Sequence, residues 1–262
     1  MSRSRMPVYF VPHGAGPCFF MQWNPVNTWD RMRAFLEGIA AQLPEKPKAI
    51  VISGHWLTQS VSVVRAENPA LIYDYSGFPP HTYELRYDAP SLPDLADRIV
   101  ESLNKSGIPA IADAQRGYDH GVFIPLKVMF PEADIPVIPV SLRLDMNPAA
   151  HVAIGEALSW LRDEGVLIVG SGMSFHNMRG YGDPRFGPIS EEFDRWLTDV
   201  MTLPHIERTA AISAWESAPS ARLSHPSRAE EHLLPLFVAA GAAGDDAGQK
   251  VFSDVVLETT IS

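Results

Sequence analysis

The sequence predicts an α/β fold: one domain over residues 1–262, with a central mixed β-sheet flanked by helices and an active site at the strand ends. Two observations carry this. Short β-branched runs that stop at glycine, such as Ala49–Ser53 before Gly54 and Val166–Val169 before Gly170, read as buried strands breaking into loops. Between such runs lie longer segments whose apolar residues recur every three or four positions, the pattern of helices packed on a sheet. With 262 residues, 46% hydrophobic and 20% charged, the chain is long enough to bury a substantial core.

Taken in order, the first strand is 7–12. A helix follows over Asn27–Leu43, with Trp29, Met32, Phe35, Leu36, Ile39 and Leu43 along one face. Strands come next at 48–53 and 60–65. The segment Glu67–Ser91 breaks the rhythm: it holds Pro69, Pro79, Pro80 and Pro90 among Tyr73, Tyr75, Phe78, Tyr83 and Tyr87. Its aromatic content argues for an ordered loop walling a pocket. A helix over Leu92–Leu103 leads to strands at 108–113 and 135–140, and a helix over Pro148–Leu161 to the strand 166–170. Met173–Pro188, rich in glycine and proline, reads as a second ordered loop. A helix over Ile189–Leu203 with Ser190 as its cap, an apolar helix over Leu233–Ala240 and a last strand at 251–257 complete the chain.

Composition excludes several classes of function. With 31 acidic and 21 basic residues, the formal charge is −10, which lacks the basic footprint that nucleic-acid binding needs. No apolar run approaches membrane-spanning length, and the run from Pro7 to Pro12 after the basic N-terminus is too short for a signal-peptide core. Cys18 is the one cysteine, so neither an internal disulfide nor a thiolate metal cluster can form, and a reducing, cytoplasmic setting fits. Nothing in the sequence indicates an oligomeric state.

The chemistry must then be sought among nine histidines. His13 and His55 sit beside glycine at strand ends, where ligands bind in open α/β sheets. His176 follows Gly170-Ser171-Gly172 at a third strand end. His120 lies in Gly117-Tyr118-Asp119-His120-Gly121, and His232 opens an apolar helix. His81 sits in the aromatic loop as either a pocket wall or a solvent-facing turn residue. His151 and His205 read as structural or surface histidines. Imidazole is the commonest protein metal ligand and titrates nearest neutrality, so a metal or acid–base site is the leading reading. No His-Glu-x-x-His, nucleophile elbow or phosphate-binding loop is present, and any metal site must be assembled from distant positions. The serine of Gly170-Ser171-Gly172 needs no nucleophilic role, since small residues suit a strand end.

The blocks Pro12-His13-Gly14, Ser53-Gly54-His55-Trp56, Tyr73-Asp74-Tyr75-Ser76-Gly77-Phe78-Pro79, Arg116-Gly117-Tyr118-Asp119-His120-Gly121, Gly170-Ser171-Gly172 with His176-Asn177, and Glu231-His232-Leu233-Leu234-Pro235-Leu236 together resemble the DODA-type extradiol aromatic ring-opening dioxygenases. This is the 4,5-DOPA dioxygenase-like group of the class III extradiol superfamily. The resemblance implies one divalent ion held by His13, His55 and His232, with Fe(II) for activity and Zn(II) as an ion that could be found bound. In the protocatechuate branch the third ligand is a glutamate nine residues before a Gly-Ala pair. Counting back from Gly241 lands on His232, and Glu231 or His225 are the alternatives. His176 matches the acid–base position and His120 a second catalytic histidine, with His81 and Tyr118 as candidate substrate contacts and Arg116 and Arg179 as candidate carboxylate binders. The implied substrates are a catechol and O2. The alternatives are a metal-binding interaction module that keeps the fold without oxygenase activity, and a zinc hydrolase.

Overall fold

A computed structural model describes residues 5–262; Met1–Ser4 and the side chains of 49–53 lie outside the described residues. The strands are β1 (Val8–Pro12), β2 (Lys48–Thr58), β3 (Val61–Val64), β4 (Ala110–Asp113), β5 (Val137–Arg143) and β6 (Val166–Gly172), and they form a sheet in the order β1-β6-β2-β5-β3-β4. Neighbours pair in parallel, apart from β3 against β5, so the sheet is mixed as expected. β6 runs between β1 and β2, with Val8 opposite Ile168 and Ile50 opposite Ile168 on its other side.

Both faces of the sheet are covered, and β6 shows why its sequence is continuously apolar. Val166 and Ile168 point into a core shared with Phe193, Leu197, Phe237 and Val238, while Leu167 and Val169 point into another with Leu36, Ile39, Phe123 and Leu126. A strand with period-two side chains has no solvent face when helices lie on both sides. The helices are α1 (Asp30–Gln42), α2 (Pro93–Lys105), α3 (His120–Met129), α4 (Pro148–Leu158), α5 (Phe186–Met201), α6 (His205–Ser213), α7 (Ala221–Ser224) and α8 (Leu234–Ala243). Asn147 caps α4 by accepting from the Ala150 amide at 2.9 Å. Among the described residues no helix is long and apolar enough to cross a membrane.

The structure departs from the sequence-based expectations where local pattern is weakest. The second strand does not stop at residue 53: β2 continues to Thr58 after a register shift between Ile52 and Leu57, because Leu57 and Thr58 pair with Leu142 and Arg143. His55 therefore lies within the irregular part of a strand and not beyond its end. α3 was not expected as a helix, since residues buried on every side leave no amphipathic period to read. His205, read as a structural or surface histidine, is the first residue of α6. Ser190 is no cap: it lies inside α5 and its hydroxyl donates to the Gly187 carbonyl. The expected last strand is a hairpin, β7 (Asp254–Val256) and β8 (Thr259–Ile261), turned by Leu257 and Glu258 at φ of 47° and 68°.

Candidate metal centre

Three adjacent strands, β1, β6 and β2, run parallel, and their carboxyl ends share one edge of the sheet. His13 follows β1 directly, and His55 projects from the irregular stretch of β2. β6 contributes no histidine of its own but seats one. The Met173 amide donates to the His232 carbonyl at 2.9 Å, and a Cβ on Gly172 would fall 2.1 Å from that same oxygen. Glycine there lets the turn before α8 rest on the strand end. Gly170 plays the same part against the Pro235 carbonyl, and the Ser171 hydroxyl donates to the Gly121 carbonyl. The Gly-Ser-Gly run is thus a docking surface for backbone.

Five imidazoles meet at this edge. Ring centroids of His13 and His55 are 5.1 Å apart, of His13 and His232 5.1 Å, and of His55 and His232 4.7 Å. His120 lies 3.9 Å from His55 and 5.5 Å from His13, and His176 lies 3.4 Å from His232. His13, His232 and His120 are 2%, 3% and 6% exposed, so these rings are largely withdrawn from water. Neither ring nitrogen of His13, nor Nδ1 of His176, has a hydrogen-bond partner among the described residues. Buried polar atoms left this way are costly, and a cation bound by His13 would relieve part of that cost.

Geometry tests which rings could share an ion. Imidazoles bound through Nε2 at about 2.1 Å, at angles near 90–110°, would have centroids roughly 4.6–5.3 Å apart and nitrogens roughly 3.0–3.4 Å apart. The His13–His55–His232 separations fall in that range, and the Nε2 atoms of His55 and His232 are 3.2 Å apart. Two groupings bring ligand atoms within 4.8 Å of one another, His13–His55–His120 and His176–Glu231–His232. Neither suits one ion as well. His55 and His120 are too close, and His176 and His232 are stacked with only 19° between their planes. A ligand's lone pair lies in its ring plane, so stacked rings cannot direct theirs to one point.

Electrostatics favour neutral, ligating rings. Burial, then neighbouring histidines, holds His13 and His232 well below the ordinary imidazole value. Burial also takes His55 down to about 3, with His120 adding to this and Asp74 opposing it, and burial with His120 takes His176 to about 4. Carboxylates back two of the rings: Glu231 Oε1 lies 2.9 Å from His232 Nδ1, and Asp74 Oδ1 lies 2.8 Å from His120 Nδ1. Burial raises the Asp74 carboxyl, but its hydrogen bonds with His120 and that ring's charge outweigh this and leave it at about 2. Burial pushes Glu231 up.

Other candidates fall outside the cluster. Tyr118 is fully buried, and its hydroxyl faces the carbonyls of Pro90 and Val137 at 3.2 and 3.0 Å. That corrects the reading of Tyr118 as a substrate contact, since a core phenol bonded to backbone offers no face to a ligand. His81 is exposed, and its Nε2 meets the Phe20 carbonyl at 3.1 Å, tying the aromatic loop to the 18–20 turn. His225 packs against Phe193 and Trp215 with Nε2 on the Ser174 carbonyl, a core position unsuited to a ligand. Arg116 is engaged by Asp119 at 2.9 Å and lies over Trp56, while Arg179 is exposed. Asp74 carries no functional signal in the sequence, because nothing in the linear chain connects it to His120.

Residues 7–261 match the family described as the catalytic LigB subunit of aromatic ring-opening dioxygenase. The chain is 39% identical to a 4,5-DOPA dioxygenase extradiol from Beta vulgaris, covering 91% of this chain and 87% of that one. It is 36% identical to the dioxygenase tasH of Hapsidospora irregularis, over 97% and 83% of the two chains. The crystal structure of an uncharacterized protein, JW3007, from Escherichia coli K12 superposes with a TM-score of 0.78 at 28% identity, over 98% of this chain and 99% of that chain. The chain belongs to the LigB family of aromatic ring-opening dioxygenases.

Proposed function

We propose that this protein is an Fe(II)-dependent extradiol dioxygenase that opens the ring of a catechol with O2. The observation that supports it most is the convergence of His13, His55 and His232 at separations suited to one ion, within a chain of a ring-opening family. These three rings would hold the metal, and Zn(II) could occupy the same nitrogens. When bound, the ion supplies a Lewis-acidic, redox-active point that brings a catechol and O2 together.

The remaining side chains handle protons and shape. His176 is neutral near pH 7 and keeps an unpartnered Nδ1, so its ring can take up a phenolic proton and return it later. His120 receives the Asp74 carboxylate at Nδ1, which leaves the opposite nitrogen for substrate oxygen. Tyr75, whose ring lies 5.8 Å from His120, offers flat apolar surface for an aromatic ring. The test is anaerobic reconstitution with Fe(II), followed by a catechol such as DOPA and O2. A yellow ring-opened product with one O2 consumed per catechol is expected; colour formation without oxygen uptake, or none with any catechol in a panel, sinks the reading.

A further inference from the structure

We propose that Asp74 is the positioning carboxylate of this centre, one side chain that sets the ring orientation and tautomer of both His120 and His55. The inference rests on the metal reading above and not on ring cleavage itself.

The argument begins with how the loop reaches the site. Residues 66–91 hold no strand of the main sheet, yet they are pinned beside α3. Leu71 and Tyr118 form an isolated parallel bridge, with the Ile72 amide donating to the Tyr118 carbonyl and the Tyr118 amide to the Ala70 carbonyl, each at 2.8 Å. Gly117 makes this approach possible, since a Cβ there would lie 2.0 Å from the Ala70 carbonyl oxygen. Further along, the hydroxyls of Tyr73 and Tyr75 donate to the carbonyls of Leu85 and Thr82, at 2.6 Å each. Asp74 is thereby held between two tethered tyrosines, facing the first turn of α3.

Its two oxygens do different things. Oδ1 accepts twice from one residue, from the His120 backbone amide at 2.9 Å and from the ring Nδ1 at 2.8 Å. The backbone contact alone would be an ordinary helix cap supplied from another segment. The ring contact is more specific. A carboxylate can only accept, so His120 must carry a proton on Nδ1, and in the neutral ring Nε2, on the opposite edge, is the lone pair. Oδ2 faces Nδ1 of His55 at 3.8 Å, too long for a hydrogen bond but close enough for its charge to favour a proton on that nitrogen. The Nε2 of His55 meanwhile points at His232. One carboxylate thus directs the Nδ1 edges of a proposed ligand and of a proton-handling ring outward, and their Nε2 edges inward. Outer carboxylates of this kind commonly fix the tautomer of metal-binding histidines. Glu231 stands in the same relation to His232, but it acts on a single ring.

The test separates orientation from capping. In Asp74→Asn the amide oxygen can keep both Oδ1 contacts, while the charge is lost and an NH2 group faces His55. Protein labelled with 15N at histidine is compared metal-free as wild type and Asp74→Asn, and zinc affinity is then measured by competition with a chelator. The expected result is Nδ1–H tautomers on His120 and His55 in the wild type, loss of that preference at His55 in the variant, and a 10–100-fold weaker zinc affinity. Asp74→Glu should recover less than Asp74 itself supplies, because its longer arm cannot serve both rings. Unchanged tautomers together with zinc affinity within twofold would overturn the proposal. Should Asp74→Asn fail to fold, the wild-type spectrum still decides: an Nε2–H tautomer on His120 overturns it. Wild-type protein that binds no zinc defeats the metal reading, while the His120 tautomer continues to test Asp74.

Discussion

His176 lies flat against His232, with ring centroids 3.4 Å apart and 19° between their planes. Two rings stacked this way cannot aim in-plane lone pairs at one ion, so if His232 holds the proposed metal, His176 does not. Replacing His176 by Ala should leave metal bound while turnover falls roughly 10²–10⁴-fold, the usual loss for an acid–base group. His13→Ala should lose metal and activity together. Metal per chain and kcat, measured on the same samples, check this; stoichiometric metal loss in the His176 variant would make it a ligand.

The third ligand is tested at His232. His232→Ala should weaken metal binding severely, whereas His232→Glu, which builds a two-histidine, one-carboxylate set suited to Fe(II), should still retain a divalent ion. Glu231→Ala removes only the partner of Nδ1 and should have a milder effect. His225→Ala should cost stability instead, since that ring is packed against Phe193 and Trp215. Elemental analysis after exhaustive dialysis distinguishes these, and full retention in His232→Ala with loss in Glu231→Ala would move the ligand to Glu231.

Glycine 172 should matter for metal although it carries no ligand atom. In Gly172→Ala the added carbon would meet the His232 carbonyl at 2.1 Å, so the turn bearing His232 must move, and both zinc affinity and thermal stability should fall. Gly38→Ala is the contrast: it lies within α1, where a new Cβ would meet only the end of the Gln42 side chain, at 3.8 Å. That change should stabilise by about 0.5–1 kcal/mol. Equal behaviour of the two variants in chelator competition would refute the seating role.

Stability should fall on acidification in part through His151, which lies in α4. Its Nδ1 faces the Asn147 carbonyl at 2.7 Å and its Nε2 accepts from the Arg143 amide at 3.0 Å, so only the neutral ring is satisfied. Burial lowers its pKa to about 4. Because the folded value lies below the unfolded one, the contribution is complete above about pH 6.5 and is lost as pH falls through about 4. The stability advantage of wild type over His151→Gln should therefore shrink by on the order of 2 kcal/mol between pH 7 and pH 4. Urea titrations across that range measure it; a pH-independent difference would count against the assignment.

Metal should also stabilise the fold. At a free ion concentration of a hundred times Kd, Zn(II) should add about 2.7 kcal/mol, seen as a raised Tm that a chelator reverses. His13→Ala should show no such shift, and an equal shift in both proteins would place the ion elsewhere.

What the sequence determined by itself is what local pattern encodes. Val166–Val169 had to be a strand buried on both faces, and Asn27–Leu43 had to contain a helix, because the periods of burial are written in consecutive residues. The blocks around His13, His55, His120, His176 and His232 likewise marked the histidines worth weighing. Only the tertiary structure decided which of them meet, since β1, β6 and β2 are neighbours in the sheet and far apart in the chain. It alone stacked His176 on His232, sent Tyr118 into the core and His225 against Trp215, and carried β2 past His55 by pairing it with Leu142 and Arg143. Asp74 makes the distinction plainest: its carboxylate reaches His120 across 46 residues, from a loop that a bridge between Leu71 and Tyr118 pins beside α3. A contact of that range is set by the closure of the fold, and no periodicity in the chain records it.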